Sequence, residues 1–108
     1  MDETLKRLYA VVQDRREHPQ EGSYTCYLLD KGLDKILKKV GEECSETIIA
    51  AKNGVQSDTV GEISDLIYHL TVMMVDQNIP LEAVMEELDH RSQKIGNLKQ
   101  FHQSDHAT

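Results

Sequence analysis

Apolar residues recur along this chain at helical spacing and almost nowhere at strand spacing, and this periodicity confines it to an all-α fold. The longest example runs from about Leu33 to Lys52. There Leu33, Ile36, Leu37, Val40, Cys44, Ile48 and Ala51 fall within roughly 120° of arc at about 100° per residue. With no Trp and a single Phe, the core must be aliphatic, built from Leu, Ile, Val, Met and Ala. A chain of 108 residues predicts one domain, 1–108, folded as a small bundle of four to five helices. A core of that size is modest, and dimerisation is expected to complete it.

Capping residues divide the pattern into elements. Leu5, Leu8, Val11 and Val12 mark a first amphipathic helix, which together with the loop His18 to Gly22 occupies residues 1–22. Ser23 is placed to cap a short helix through Leu29, closed by Gly32. Asn53-Gly54 stops the long helix, and Ser57-Asp58-Thr59 opens another that reaches Asp76. From Leu66 to Val75 this helix is apolar nearly all round, which predicts burial on more than one side, by the bundle or by a subunit partner. Pro80 begins a last helix, with Leu81, Val84, Met85, Leu88 and Ile95 on one stripe and a stop near Gly96. Residues 97–108 turn polar and are expected to form a flexible tail. His102 and His106 lie in that tail, where chance metal contact is the plainer expectation.

Charge narrows the classes of function. The net charge is −7, which disfavours a nucleic-acid backbone as partner. Residues 1–54 hold 9 Lys+Arg against 10 Asp+Glu, whereas residues 55–108 hold 3 against 9. No window approaches 18 uninterrupted apolar residues, and the Met1-Asp2-Glu3 start lacks the basic n-region of a signal peptide. Cys26 and Cys44 are too few for a disulfide framework and read as reduced thiols in a cytoplasmic protein. Cys44 and the Met73-Met74 pair read as core.

The carboxylates are distributed less evenly than the charge. With Ile36 at 0°, Glu43 falls at about 340°, Glu46 at about 280° and Glu42 at about 240°, while Lys35 and Lys39 fall at about 260° and 300°. On the next helix Glu62, Asp65 and His69 share a strip beside the apolar face. If the two helices pack antiparallel, the acidic strips meet. Gathered carboxylates repel one another unless protons or a cation neutralise them. Oxygen donors without Cys or adjacent His suit a hard cation, Mg²⁺ or Mn²⁺, and magnesium commonly serves phosphoryl chemistry. Lys35 and Lys39 would then hold phosphate. The plainer alternatives are a solvated face with Lys38–Glu42 and Lys39–Glu43 pairs, and a Thr59-x-x-Glu62 capping box that explains Glu62 structurally. His69, at an apolar edge, suits a hydrogen-bonded structural role as well as a binding one.

Glu42-Glu43-x-x-Glu46 followed by Glu62-x-x-Asp65 resembles the metal signature of the all-α nucleotide pyrophosphohydrolases, the MazG-like group. The segments around it resemble the branch that acts on phosphoribosyl-ATP in histidine biosynthesis. These are Ser23-Tyr24-Thr25, Leu28-Leu29, Gly32-x-x-Lys35-Ile36-x-x-Lys39-Val40-Gly41, Ala50-Ala51-Lys52-Asn53, Asp65-Leu66-Ile67-Tyr68-His69-Leu70 and Glu87-Leu88-x-x-Arg91. The likeness spans Ser23 to Arg91. Gly61, Ser64 and Cys44 depart from it without touching an acidic position. The resemblance implies a homodimeric helical bundle that hydrolyses the α–β phosphoanhydride of phosphoribosyl-ATP to phosphoribosyl-AMP and pyrophosphate. The start at Met1 with no preceding cyclohydrolase-like domain suggests the single-function form. Combining spacing with resemblance, the expected metal ligands are Glu43, Glu46, Glu62 and Asp65. Glu42 is expected to orient or deprotonate water, so that Glu42, Glu43 and Glu46 form the catalytic set. Lys35, Lys39 and Arg91 are expected to bind phosphates, and Tyr68 and His69 to line the pocket. Two other readings stand beside this one: a house-cleaning dNTP or dUTP hydrolase, and a non-catalytic helical dimer that binds a partner.

Overall fold

A computed structural model describes residues 2–94, and within them the chain is helical with no strand. Five helices follow in order: α1 (Asp2–Glu17), α2 (Tyr24–Lys31), α3 (Leu33–Asn53), α4 (Gln56–Asp76) and α5 (Leu81–Ser92). The expected tail, with His102 and His106, and the Ile95-Gly96 end of the last stripe lie outside the described residues.

Local chemistry sets the boundaries. The Ser23 hydroxyl accepts from the Cys26 N–H at 3.1 Å and so starts α2. Gly32, at φ 94°, ends it, because few side chains tolerate that backbone. Gly54 ends α3 in the left-handed region (φ 79°, ψ 13°) with its N–H on the Ala50 carbonyl at 3.2 Å. Only Gly54 and Val55 separate α3 from α4. Two helices of 21 residues, joined so tightly and packed along each other, form an antiparallel hairpin about 30 Å long.

The core lies where α1, α2 and α3 cover α4. Val12, Leu28, Ile36, Val72 and Val75 are fully buried, with Leu8, Tyr9, Leu29, Tyr68 and Met73 packed against them. α4 meets α3 on one side and α1 and α2 on the other. The bundle itself therefore buries the apolar middle of α4 on more than one side, one of the two ways the sequence allowed.

Three expectations are corrected. The seam that α3 buries is Ile36, Glu43 and Ala50, with Val40 and Thr47 half-buried between them. Leu33, Leu37, Cys44 and Ile48, counted as core by periodicity, are exposed, Ile48 at 69%. The apolar arc of α3 is wider than the strip one neighbouring helix can cover, so its outer edge faces solvent in the single chain. Thr59 makes no capping box. α4 starts at Gln56 behind Val55, which places Thr59 within the first turns, where its hydroxyl donates to the Val55 carbonyl at 3.3 Å. On α5 only Leu81 is buried and Leu88 is 56% exposed.

Candidate active site

Glu43 occupies a position in the α3–α4 seam where a bundle ordinarily places an apolar side chain, and it is 6% exposed. Across the seam, one turn apart on α4, stand Glu62, half-buried, and Asp65, exposed. One carboxylate oxygen from each of these three residues lies within 4.8 Å of the other two. Glu46, one turn beyond Glu43, is exposed and stands outside this closest group. It lines the adjoining open cavity of about 400 Å³ together with Glu62, Asp65, Asn53 and Asp58. The structure thus brings all four expected ligands to one place, three tightly and one at the rim. Asn53 and Asp58 were not singled out for the site. They flank the α3–α4 turn, and the closing of the hairpin turns both toward the cavity.

The electrostatics of this group are unfavourable as it stands. Glu43 Oε2 and Glu62 Oε1 are buried without a hydrogen-bond partner. Leaving a buried polar atom unpaired costs about 1–3 kcal/mol, and more when it is charged. Burial raises the Glu62 carboxyl above its ordinary value, and the charge of Glu46 and the closeness of Glu43 and Asp65 raise it further. Lys39 supplies partial relief, with its Nζ 4.0 Å from Glu43 Oε1 and 3.3 Å from Glu42 Oε1. The pairing with Glu42 holds the Lys39 ammonium above its usual value, so it stays protonated. Lys39, and not Lys38, is therefore the partner of Glu42. With the Thr59 capping box gone, Glu62 has no structural task that would explain its place. Two orphaned buried oxygens within a group of three converging carboxylates fit a hard divalent cation, which replaces the missing donors and cancels the repulsion.

The other expected site residues are spread wider. Lys35 Nζ lies 5.9 Å from the centroid of the Tyr27 ring, and Lys31 Nζ lies 5.8 Å from it. The Tyr68 hydroxyl bonds the Thr25 hydroxyl, tying α4 to α2. His69 is buried, with Nδ1 2.7 Å from the Asp65 carbonyl oxygen and Nε2 3.0 Å from the Tyr24 hydroxyl, so both ring nitrogens are occupied. Arg91 is paired with Glu87 at 2.8 Å on α5 and lines a cavity with Val84, Glu87 and Leu88 that none of Glu43, Glu46, Glu62 and Asp65 enters.

The raised Glu62 carboxyl carries a pH signature. The folded chain holds this proton to higher pH than the unfolded chain, so its contribution to stability is complete below the ordinary carboxylate pKa and is lost as pH rises through the raised one. The metal-free protein is expected to lose melting temperature across that interval. Glu62→Gln should flatten the loss, and a millimolar divalent cation should reverse it in the wild type alone. Thermal melts across pH, with and without the cation, read all three.

Relatives of this chain bear on what the site does. The profile of a protein family described as phosphoribosyl-ATP pyrophosphohydrolase matches residues 5–92. A protein of Clostridium acetobutylicum named phosphoribosyl-ATP pyrophosphatase is 52% identical over 99 residues, covering 92% of this chain and 90% of the relative. Proteins of the same name from Listeria monocytogenes serotype 4a and Clostridium novyi are 54% and 50% identical, covering 88% and 90% of this chain and 91% and 88% of the relatives. The match encloses both halves of the carboxylate group, and the chain belongs to the phosphoribosyl-ATP pyrophosphohydrolase family.

Proposed function

We propose that this chain hydrolyses the α–β phosphoanhydride of phosphoribosyl-ATP, releasing phosphoribosyl-AMP and pyrophosphate, the second step of histidine biosynthesis. The observation that carries the reading is the pair of buried, unpartnered oxygens of Glu43 and Glu62 at the point where three carboxylates converge. Glu43, Glu62 and Asp65 would hold Mg²⁺, with Mn²⁺ as a substitute, and Glu46 would join them from the cavity rim. When bound, such a cation offsets the negative charge of the phosphates and of the leaving pyrophosphate.

The remaining steps belong to the chain. Glu43 is fixed by burial in the hairpin and Glu62 is half-buried across the seam from it, so these donors are organised before substrate arrives. Glu42 is the residue for the water. In the structure its carboxylate is held by Lys39 at 3.3 Å. A substrate phosphate competes for that ammonium. As Lys39 turns to it, Glu42 is released to accept the proton of a water whose oxygen bonds to phosphorus while the bridging P–O bond breaks. Lys35 adds charge for the phosphates. A bundle rich in exposed Lys, Glu and Asp, with two free thiols, suits the cytoplasm.

The chain works as a homodimer in this reading. The support is the outer apolar edge of the hairpin, where Leu37, Ile48, Ile49, Val60 and Ile63 are all at least 42% exposed. Sedimentation should give a dimer for the wild type and a monomer for Ile48→Glu. A monomeric wild type would refute the assembly.

Pyrophosphate release from phosphoribosyl-ATP tests the activity directly. Glu46→Gln and Asp65→Asn should each lower turnover at least a hundredfold with the far-UV helical signal unchanged. Undiminished turnover in both would sink the assignment of the acidic residues, and release from dNTPs alone would favour the house-cleaning alternative.

A further inference from the structure

Two ammonium groups stand apart from the acids of this chain. Lys31 closes α2, Lys35 lies in the first turn of α3, and Gly32 bends the backbone between them at φ 94°. Both side chains are drawn to the ring of Tyr27, with their Nζ atoms 5.8 and 5.9 Å from its centroid. The chain has 19 Asp+Glu against 12 Lys+Arg, so carboxylate partners are plentiful. Yet among the described residues neither lysine makes an ion pair, whereas Lys39, one turn further along α3, is paired with Glu42 and Glu43. Two cations gathered at one ring and left without a counter-ion are free to take an anion from outside.

Position decides which anion. Side chains on a helix lean toward its N-terminus, so Lys35 reaches away from Glu43. Eight residues of α3 separate the two, about 12 Å of helical rise. Exposed aromatic surface lies along this interval. Tyr24 and Tyr27 are 44% and 42% exposed and stack at 6.1 Å, and the Tyr24 hydroxyl lies 3.0 Å from His69, one turn of α4 beyond Asp65. The order is therefore acids, rings, lysines. Phosphoribosyl-ATP has a matching order: a triphosphate, then a ribose, an adenine and a second ribose, then a terminal monophosphate. The three rings keep the monophosphate away from a cation that takes the triphosphate, and a plain nucleoside triphosphate has no such group.

We propose that Lys31 and Lys35, positioned by Tyr27, bind the monophosphate at the far end of phosphoribosyl-ATP and so select it over nucleoside triphosphates. The inference rests on the phosphoribosyl-ATP reading above and assigns the Lys35 charge to one phosphate. Equilibrium binding of phosphoribosyl-AMP and of AMP, each with Mg²⁺, isolates the group, since the ligands differ only by the phosphoribosyl unit. The wild type is expected to bind phosphoribosyl-AMP about tenfold more tightly than AMP, or better. Lys31→Gln and Lys35→Gln should each remove about tenfold of phosphoribosyl-AMP affinity, the size of one charge-assisted hydrogen bond, with the Kd for AMP held within about twofold. Tyr27→Leu should remove about threefold and Tyr27→Phe almost none, because the ring and not the hydroxyl holds the ammoniums. Unchanged phosphoribosyl-AMP binding in both lysine variants would overturn the proposal and leave them as surface charges. Equal losses for the two ligands would overturn it as well, by moving the lysines to the phosphate of AMP. A wild type that hydrolyses phosphoribosyl-ATP but binds phosphoribosyl-AMP no better than AMP would defeat this proposal alone. Failure to hydrolyse phosphoribosyl-ATP would defeat the activity reading, and this proposal with it.

Discussion

Glu43 sits in the seam between α3 and α4, 6% exposed, with one oxygen lacking any partner. A carboxylate in such a place is costly to desolvate, and mutual repulsion with Glu62 and Asp65 adds to the cost. A hairpin that needed only stability would place a Leu or Val there, as the bundle does at Ile36 and Val72. The geometry around it follows from tolerating this charge. Beside the seam lies an open cavity of about 400 Å³, lined by Glu46, Glu62 and Asp65. Lys39 must lie close enough to moderate the field.

The hairpin supplies the precision. Gly54 in the left-handed region turns the chain within two residues, and the turn fixes the register of α3 on α4. Carboxylates eight residues from it on α4 and eleven on α3 then face each other. The site is also tied down at its other end: the Tyr24 and Thr25 hydroxyls bond His69 and Tyr68, so α2 is fastened to the same stretch of α4 that carries Asp65. Catalytic groups mounted on rigid helices and braced from both ends need little reorganisation when a polyanionic substrate binds.

Much of this was legible in the sequence because it depends on period and punctuation. Ser23, Gly32 and Gly54 mark helix ends through backbone chemistry that tertiary packing does not override, and α2 and α3 begin and end where those residues predict. The convergence of Glu43, Glu62 and Asp65 was also readable, since a short turn between two amphipathic helices leaves few ways to pair them. What periodicity could not provide was the angular position of the seam. Hydrophobicity places the centre of the α3 face between Ile36 and Ile48, whereas the single chain buries Ile36, Glu43 and Ala50 and leaves Cys44 and Ile48 in solvent. A pattern over one chain cannot separate surface buried by that chain from apolar surface left for a neighbour. The link from Tyr24 to His69 was not legible for a different reason: it is a hydrogen bond spanning 45 residues, and no local spacing encodes that.

In the reading proposed above, a divalent cation completes the unbalanced cluster of Glu43, Glu62 and Asp65. Anomalous scattering from crystals grown with Mn²⁺ tests it most directly. One strong peak held by Glu43, Glu62 and Asp65 is expected, at metal–oxygen distances of ~2.1 Å, with Glu46 turned toward it from the rim. A map with no peak among these side chains at saturating Mn²⁺, or with manganese bound only elsewhere on the surface, would contradict it.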